Sequence, residues 1–444
     1  MPTRSAFLLA LASPFTLADS AQSQSNGFVL DSAWSVLNRT VYDHREYRHG
    51  ARNNAARNAY KPRDERNGYA EEWGYGLMGT LQSGFTQGLI GVGMDAHAYL
   101  GTQLDSGGGR AGKARLLGLD NQGHPKDEFS RGGAAIRFRA SSTVLSYGEQ
   151  RVKTPVFSSS DSRLLPETAT GVFLSSNEFE ALKLVAGHFT DSTDRNASSH
   201  DQGLVVNYSN AVKGNTFDLA GMVYTPAKHL NLSLYTSRYE DTWNQHYLGA
   251  TFLQPLGEQR SLAFNLNLYR STDEGKSLSG TIDNTTWSLM STYTQGPHGF
   301  SLGYQQVDGN TPFDYVTRGA IFISNSVQLS DFNAPNEQSW QARYDLDVTP
   351  WGVPGLSMSA AYVRGSQIDG SHVDPQGGYA WLGYGEGGKH WERDLEVLYV
   401  VQGGAAKGTT LSLRHNVHRG NTAQAELDTD QIRLAVEYPL TGRF

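Results

Sequence analysis

The residues of this chain best suited to chemistry are arginines set among alternating apolar residues. In "RGGAAIRFRA", Arg131, Arg137 and Arg139 share the parity opposite Ile136 and Phe138. Arg343 opposes Ala342, Tyr344 and Leu346. Arg414 opposes Leu411, Leu413 and Val417, and Arg433 opposes Ile432 and Leu434. Arg39, in "VLNRTVY", reads the same way. A guanidinium offers a planar fork of donors that matches a carboxylate with paired, charge-assisted hydrogen bonds. The chemistry is therefore binding of anions, not bond making. The competing reading is that each arginine pairs with an acid of its own, such as Asp345, Asp347, Asp95 or Glu437.

Other patterns invite an enzyme reading and fail on context. "GFSLG" at 299–303 matches G-x-S-x-G, but a nucleophile elbow needs a strand, a sharp turn and a helix. Ser301 sits inside an alternating stretch instead. "GVGMDA" and "GYGEGG" resemble dinucleotide fingerprints, yet neither opens a helix. The 13 histidines are scattered, with no HExxH and no i,i+4 pair. The absence of cysteine removes thiolate metal sites and thiol nucleophiles. No catalytic residue, metal site or cofactor is expected, and the net charge of −7 gives no reason to expect nucleic acid.

The elements that carry the arginines are strands. In "DQIRLAVEYPLTGRF", Ile432, Leu434, Val436 and Tyr438 fall on one face, and Gln431, Arg433, Ala435 and Glu437 on the other. "SLAFNLNLYR", "GFSLGYQQ", "LIGVGMDAHAYL", "HLNLSLYTSRY" and "SWQARYDLDV" repeat the period of two. Turn-rich pieces such as "TDEGKS", "VDGNTP", "QGPHG" and "PQGG" separate them. The polar faces carry Arg, Asp, Gln, Asn and Gly, too polar to pack a water-soluble core. Connections alternate between short and long. Aromatic residues cluster near strand ends, at Trp73, Tyr75, Trp287, Tyr293, Trp340, Tyr438 and Phe444, as an interfacial girdle would place them.

Together these features predict an all-β, transmembrane antiparallel β-barrel, which leaves no backbone polar group unpaired in lipid. About 420 mature residues at roughly 23 per strand and connection give about 18 strands. An arginine facing lipid at mid-membrane costs about 2–4 kcal/mol, so the arginines above point into the lumen. The N-terminal "MPTRSAFLLALASPFTLADSAQ" has a basic residue, an apolar stretch and small residues after it. It reads as a secretory signal peptide over residues 1–21, with cleavage after Ala18 or Ala21 and a single barrel domain over 22–444.

One segment breaks the alternation. "YGEQRVKTPVFSSSDSRLLPETATG", residues 147–171, has two prolines and a serine run, and is too long for a hairpin turn. Its Val156, Phe157, Leu164 and Leu165 need burial. Folded into the barrel as a third loop, it would narrow the pore.

At these residues the sequence resembles the OprD-type porins, the outer-membrane carboxylate channels. The resemblance is carried by "SGFTQGLIGVGMDAHAYLG", "GEQRVKTPVF" with "DSRLLPETATG", "LYRSTDEGK" with "DNTTWSL", "PFDYV", "NSVQLSDFNAPNEQSWQARYDLD", "YGEGGKH" and "YVVQGGAAKG". It covers nearly the whole mature chain. It implies a monomeric 18-stranded barrel in the outer membrane of a Gram-negative bacterium, among lipid and lipopolysaccharide. It also implies an inward-folded third loop and a basic ladder that guides small carboxylate solutes past an acidic patch.

On matching positions, Arg39, Arg131, Arg137, Arg139, Arg343, Arg414 and Arg433 are ladder candidates. Asp314, Tyr315, Ser326 and Asp331 match stretches near the family's constriction. Two departures bear on the substrate: "SMSAAYVRG" brings Ser359 and Ala361 inward where a rung is sometimes supplied, and "TLSLRHNVHRG" offers only Arg414. The expected function is passive uptake of amino acids, basic ones first, or short peptides. The alternatives are a channel for aromatic or other organic acids, a non-conducting structural barrel, and a barrel enzyme.

Overall fold

The alternation seen in the sequence closes on itself. The computed structural model describes residues 22–107, 109–200, 203–210, 213–319 and 321–444. The signal peptide expected over 1–21 lies outside the described residues. The strands are β1 (Ala33–Tyr47), β2 (Tyr69–Gln82), β3 (Ile90–Asp105), β4 (Glu128–Ala140), β5 (Thr143–Gln150), β6 (Thr168–Phe179) and β7 (Leu182–Thr193), then the two-residue β8 (Leu204–Val205) and β9 (Lys213–Gly214). There follow β10 (Phe217–Ala227), β11 (Leu230–Tyr239), β12 (Trp243–Gly257), β13 (Arg260–Asp273), β14 (Asp283–Gln295) and β15 (His298–Gly309). The chain ends with β16 (Gln338–Asp347), β17 (Leu356–Asp369), β18 (Glu386–Val400), β19 (Thr410–Gly420) and β20 (Thr429–Arg443).

All but β8 and β9 form one 18-stranded sheet in which each strand pairs antiparallel with its sequence neighbours. The ring shuts where β1 pairs β20, with Arg39 opposite Glu437 and Asp43 opposite Arg433. The last residue is held there too, since the Phe444 N–H donates to the Ser32 carbonyl at 3.2 Å. Opposite charges facing each other across this seam favour its register over a one-residue slip, which would turn every charge toward lipid.

The two faces separate as the period of two requires. On β20, Ile432 and Leu434 are each 45% exposed on the outside, while Arg433 between them is 7% exposed on the inside. Aromatic pairs ring both rims. Trp287, Tyr304 and Trp340 pack with tilted rings at the end carrying the long connections, and Phe300 meets Tyr344 at 5.2 Å near the short turns. In outer-membrane barrels the long-loop end faces outward.

Two buried clusters fill part of the lumen. In the first, Val152, Val156 and Phe157 of the loop 151–167 and Phe313, Val316 and Ile323 of the loop 310–337 pack on Phe189, Phe217, Tyr239, Tyr247 and Tyr269 of the wall. The Phe157 ring lies 4.8 Å from Phe189 and 5.0 Å from Phe217. In the second, Leu164 and Leu165 pack on Val41, Met78, Tyr99, Leu116 and Leu117. The third loop therefore crosses the barrel, with one end seated on each side. Its seat on β2 needs glycine: a Cβ on Gly74 would lie 2.8 Å from Leu164 Cδ2.

Candidate solute pathway

The loops pack on the wall around β7 and β10–β13. The wall from β16 round to β1 keeps a charged lining instead. Registered rows show how the sequence builds it. Arg343 on β16 lies opposite Ala361, which lies opposite Asp394 and then Asn416. The neighbouring row runs Asp345, Ser359, Glu396, Arg414, Arg433 and Asp43. Ala361 and Ser359 are the uncharged gap on β17 that the sequence predicted. Acids and arginines both line the wall beside it, with Arg414 directly opposite Arg433.

Two guanidiniums stay part exposed. Arg343 is 32% and Arg414 37% exposed at the side chain, and nearly every other arginine expected in the ladder is buried more deeply. Arg343 grips Asp345 with Nε at 2.9 Å and Nη2 at 2.7 Å. Arg414 donates from Nε to Glu396 at 2.8 Å and from Nη1 to Gln328 Oε1 at 3.0 Å. Each keeps one terminal nitrogen uncommitted among the described residues. The pairing alternative is thus met for Arg343 with Asp345, Arg39 with Glu437 and Arg137 with Asp95. Asp347 pairs with no arginine among the described residues; it accepts the Thr349 N–H at 2.9 Å.

Arg39 and Arg433 point inward but lie under the third loop. Arg39 donates to Glu437 at 2.7 Å, to Asp161 at 2.8 Å and to the Arg163 carbonyl at 2.9 Å. Arg433 donates to the Ser162 carbonyl at 2.7 Å. Asp161, at the exposed loop tip, also receives Arg151 at 2.9 Å. Burial alone would raise the Asp161 carboxyl, but Arg39 and Arg151 outweigh it and hold it below its usual range. Beside it, burial and the nearby Arg195, Arg433 and Arg45 all work against further positive charge at Arg163. A solute carboxylate would relieve that crowding.

The three β4 arginines do other work. Arg131 donates to the carbonyls of Pro166, Asp194 and Ala197, tying two loops to the wall. Arg137 and Arg139 lie at the short-turn end, where their guanidiniums cover the Phe85 ring at 4.6 and 4.2 Å. Arg137 pairs with Asp95 at 2.9 Å and Arg139 donates to Gln22 Oε1 at 2.8 Å. Arg139 ties down the segment before β1 and Arg137 the turn between β2 and β3, where it also donates to the Ser83 carbonyl at 2.6 Å.

Of the constriction candidates, three converge and one does not. Asp331 accepts from the Ser326 hydroxyl at 2.5 Å, from the Tyr315 hydroxyl at 2.9 Å and from the Tyr208 hydroxyl. Asp314 is buried. Its carboxylate accepts the backbone N–H groups of Asn207, Tyr208 and Ser209 at 3.0 Å and of Tyr315 at 2.7 Å. It clamps the loop 194–216 to the loop 310–337 and presents no free oxygen to a solute, contrary to expectation. Burial pushes it up to about 6 against the N–H groups of Tyr315, Ser209 and Tyr208 and the Tyr379 hydroxyl.

Several lining residues escaped the sequence reading. Glu396 and Asp394 oppose Leu395 and Val397, so the period of two could have found them. Arg151, Asp161 and Arg163 stood in the loop segment already singled out, but without alternation nothing assigned them a direction.

A closed, tilted sheet with a lipid-facing exterior, a charged lumen and a loop folded across it is the architecture of an outer-membrane porin. The comparisons agree. A family model described as outer membrane porin, OprD family, matches residues 26–442. Porin D of Pseudomonas aeruginosa is 42% identical over 440 residues, covering 96% of this chain and 95% of that protein. The improved crystal structure of Pseudomonas aeruginosa OprD superposes with a TM-score of 0.81 at 41% identity, over 95% of this chain and 98% of that one. Pseudomonas aeruginosa OpdK, solved with vanillate, superposes with a TM-score of 0.83 at 31% identity, over 94% and 100%. The chain belongs to the OprD family of outer-membrane porins. It is a channel protein of the outer membrane and not an enzyme.

Proposed function

We propose that this porin passes small carboxylate-bearing zwitterions, basic amino acids first and short peptides second, by passive diffusion. The observation that carries the reading is the pair of part-exposed guanidiniums, Arg343 and Arg414, each beside a wall acid and each with one terminal nitrogen uncommitted among the described residues. The uncommitted nitrogens receive the solute carboxylate. Asp394, Glu396, Asp161 and Asp331 attract its ammonium or guanidinium. Arg343 and Arg414 each already have a protein acid at hand, so a solute exchanges one partner for another. Such binding stays weak enough for release, as conduction requires.

Lining that carries both signs favours zwitterions over simple anions. The relative solved with vanillate supports a second reading, an aromatic-acid channel. Uptake of labelled arginine, glutamate, benzoate and glucose into proteoliposomes separates them. Arginine ahead of the others supports the proposal. Benzoate or glutamate ahead moves the protein to organic acids, and no uptake with no single-channel current defeats the channel reading for these solutes.

A further inference from the structure

The histidines are not all scattered. At the outer rim His390 on β18 and His418 on β19 turn inward side by side, 28 residues apart in sequence, and Glu426 of the loop 421–428 closes over them. Three ligand-type atoms converge. His390 Nδ1 is 2.8 Å from His418 Nε2, His418 Nε2 is 3.2 Å from Glu426 Oε2, and His390 Nδ1 is 3.5 Å from the same oxygen. A point about 2 Å from all three, the usual Zn–N and Zn–O bond length, exists just off their plane.

The far side of each ring fixes what the near side presents. His418 Nδ1 is 3.1 Å from the Leu427 carbonyl, which can only accept, so this nitrogen carries the hydrogen. His390 Nε2 is 2.6 Å from Glu337 Oε1 and donates to that carboxylate. With those hydrogens on the far nitrogens, each ring can turn a lone pair toward the same spot. Glu426 Oε2 is buried there, with no hydrogen-bond partner beyond the two imidazoles. Three lone pairs facing one another repel unless a cation lies between them. Imidazoles oriented by a carboxylate and a carbonyl behind them are the arrangement that tunes metal-binding histidines. Other acids are occupied elsewhere: Glu392, opposite His418, accepts the N–H groups of Leu329 at 2.7 Å and Ser330 at 2.9 Å.

We propose that His390, His418 and Glu426 form a site for a borderline divalent transition metal of the Zn²⁺ class, with water completing the coordination. Two imidazoles and one carboxylate suit Zn²⁺ rather than Ca²⁺ or Mg²⁺, which take all-oxygen shells. The ion stitches the loop 421–428 to two strands. Through Glu337 and through Phe332, whose ring stacks on His390 at 4.2 Å, it also steadies the loop that carries Asp331.

The test uses the full barrel in detergent, free of any histidine tag, titrated calorimetrically with ZnCl₂ and followed by visible absorption with CoCl₂. The expected result is one Zn²⁺ per barrel in the micromolar range and the intense d–d bands of four-coordinate Co²⁺. Glu426→Gln and His418→Gln should each weaken binding by at least tenfold, while single-channel conductance in EDTA stays at the wild-type value and shows that the barrels are folded. Glu337→Gln should weaken it by about 10–100-fold through the His390 ring. No saturable binding, or wild-type affinity in a folded Glu426→Gln or His418→Gln barrel, overturns the proposal.

Discussion

Arg39 on the first strand and Asp161 at the tip of the third loop meet at 2.8 Å, and Arg39 reaches Glu437 on the last strand with its Nε at 2.7 Å. One guanidinium thus joins the barrel seam to the loop that narrows the pore. Asp161 is also the partner of Arg151, so removing it strands two cations beside Arg163 and Arg433. Asp161→Asn should shift the channel toward anions, read as a change of reversal potential in a KCl gradient. The loop should loosen by on the order of 1–2 kcal/mol, less than the ~3–5 kcal/mol of a fully buried pair because Asp161 meets water. An unchanged reversal potential would mean that the loop tip does not face the ion path.

Arg414 shares one nitrogen with Glu396 and another with Gln328, and is the more exposed of the two part-exposed ladder arginines. Arg414→Gln keeps a donor but removes the charge. Uptake of carboxylate solutes should fall about fivefold, the equivalent of ~1 kcal/mol for a charge-assisted bond partly replaced by water. Glucose flux should be unchanged. Equal losses for glucose and arginine would point to a distorted pore instead of a lost binding site. Arg137→Gln, at the short-turn end against Phe85, should leave the selectivity between these solutes as it is.

The strands and their facing were legible because lipid outside and water inside impose a strict period of two, and that period needs no tertiary knowledge to read. It placed Arg343, Arg414 and Arg433 inward. It could not say which inward side chains reach the gap, because that depends on loops arriving from elsewhere in the chain. Arg131 and Arg39 share the inward parity yet are consumed by loop carbonyls and loop acids. Asp314 was expected to face the solute, but four backbone donors of two loops enclose it, and no spacing announces such a clamp. His390 and His418 became neighbours only through strand pairing.

Phe157 is 2% exposed and anchors one end of the third loop among Phe189 and Phe217. Phe157→Ala removes a ring from a packed cluster, a change that costs about 3–5 kcal/mol in a core. The strands do not depend on it, so the barrel should still insert and run as a folded band on an unheated gel. The loop should leave its seat. Single-channel conductance should rise and become noisier, while discrimination between arginine and glucose falls. Wild-type conductance in this variant would mean that Leu164 and Leu165 alone hold the loop across the lumen.

Asp314 yields a pH dependence whose sign can be worked out. Burial raises its folded value to about 6, above the ordinary carboxyl value of 3.8. Between those two values the folded protein binds a proton that the unfolded chain does not. Stability from this group is therefore greatest below pH ~3.8 and is lost as pH rises through ~6, by on the order of 2–3 kcal/mol in full. Asp314→Asn is neutral throughout and has no such slope. It also loses one acceptor for the loop N–H groups. The melting temperature of wild type minus that of the variant, taken from the folded-to-unfolded gel shift in detergent, should therefore increase from pH 7 to pH 4. A difference that is flat across this range, or that shrinks toward acid, would place the carboxylate in contact with water and undo its role as a buried clamp between the two loops.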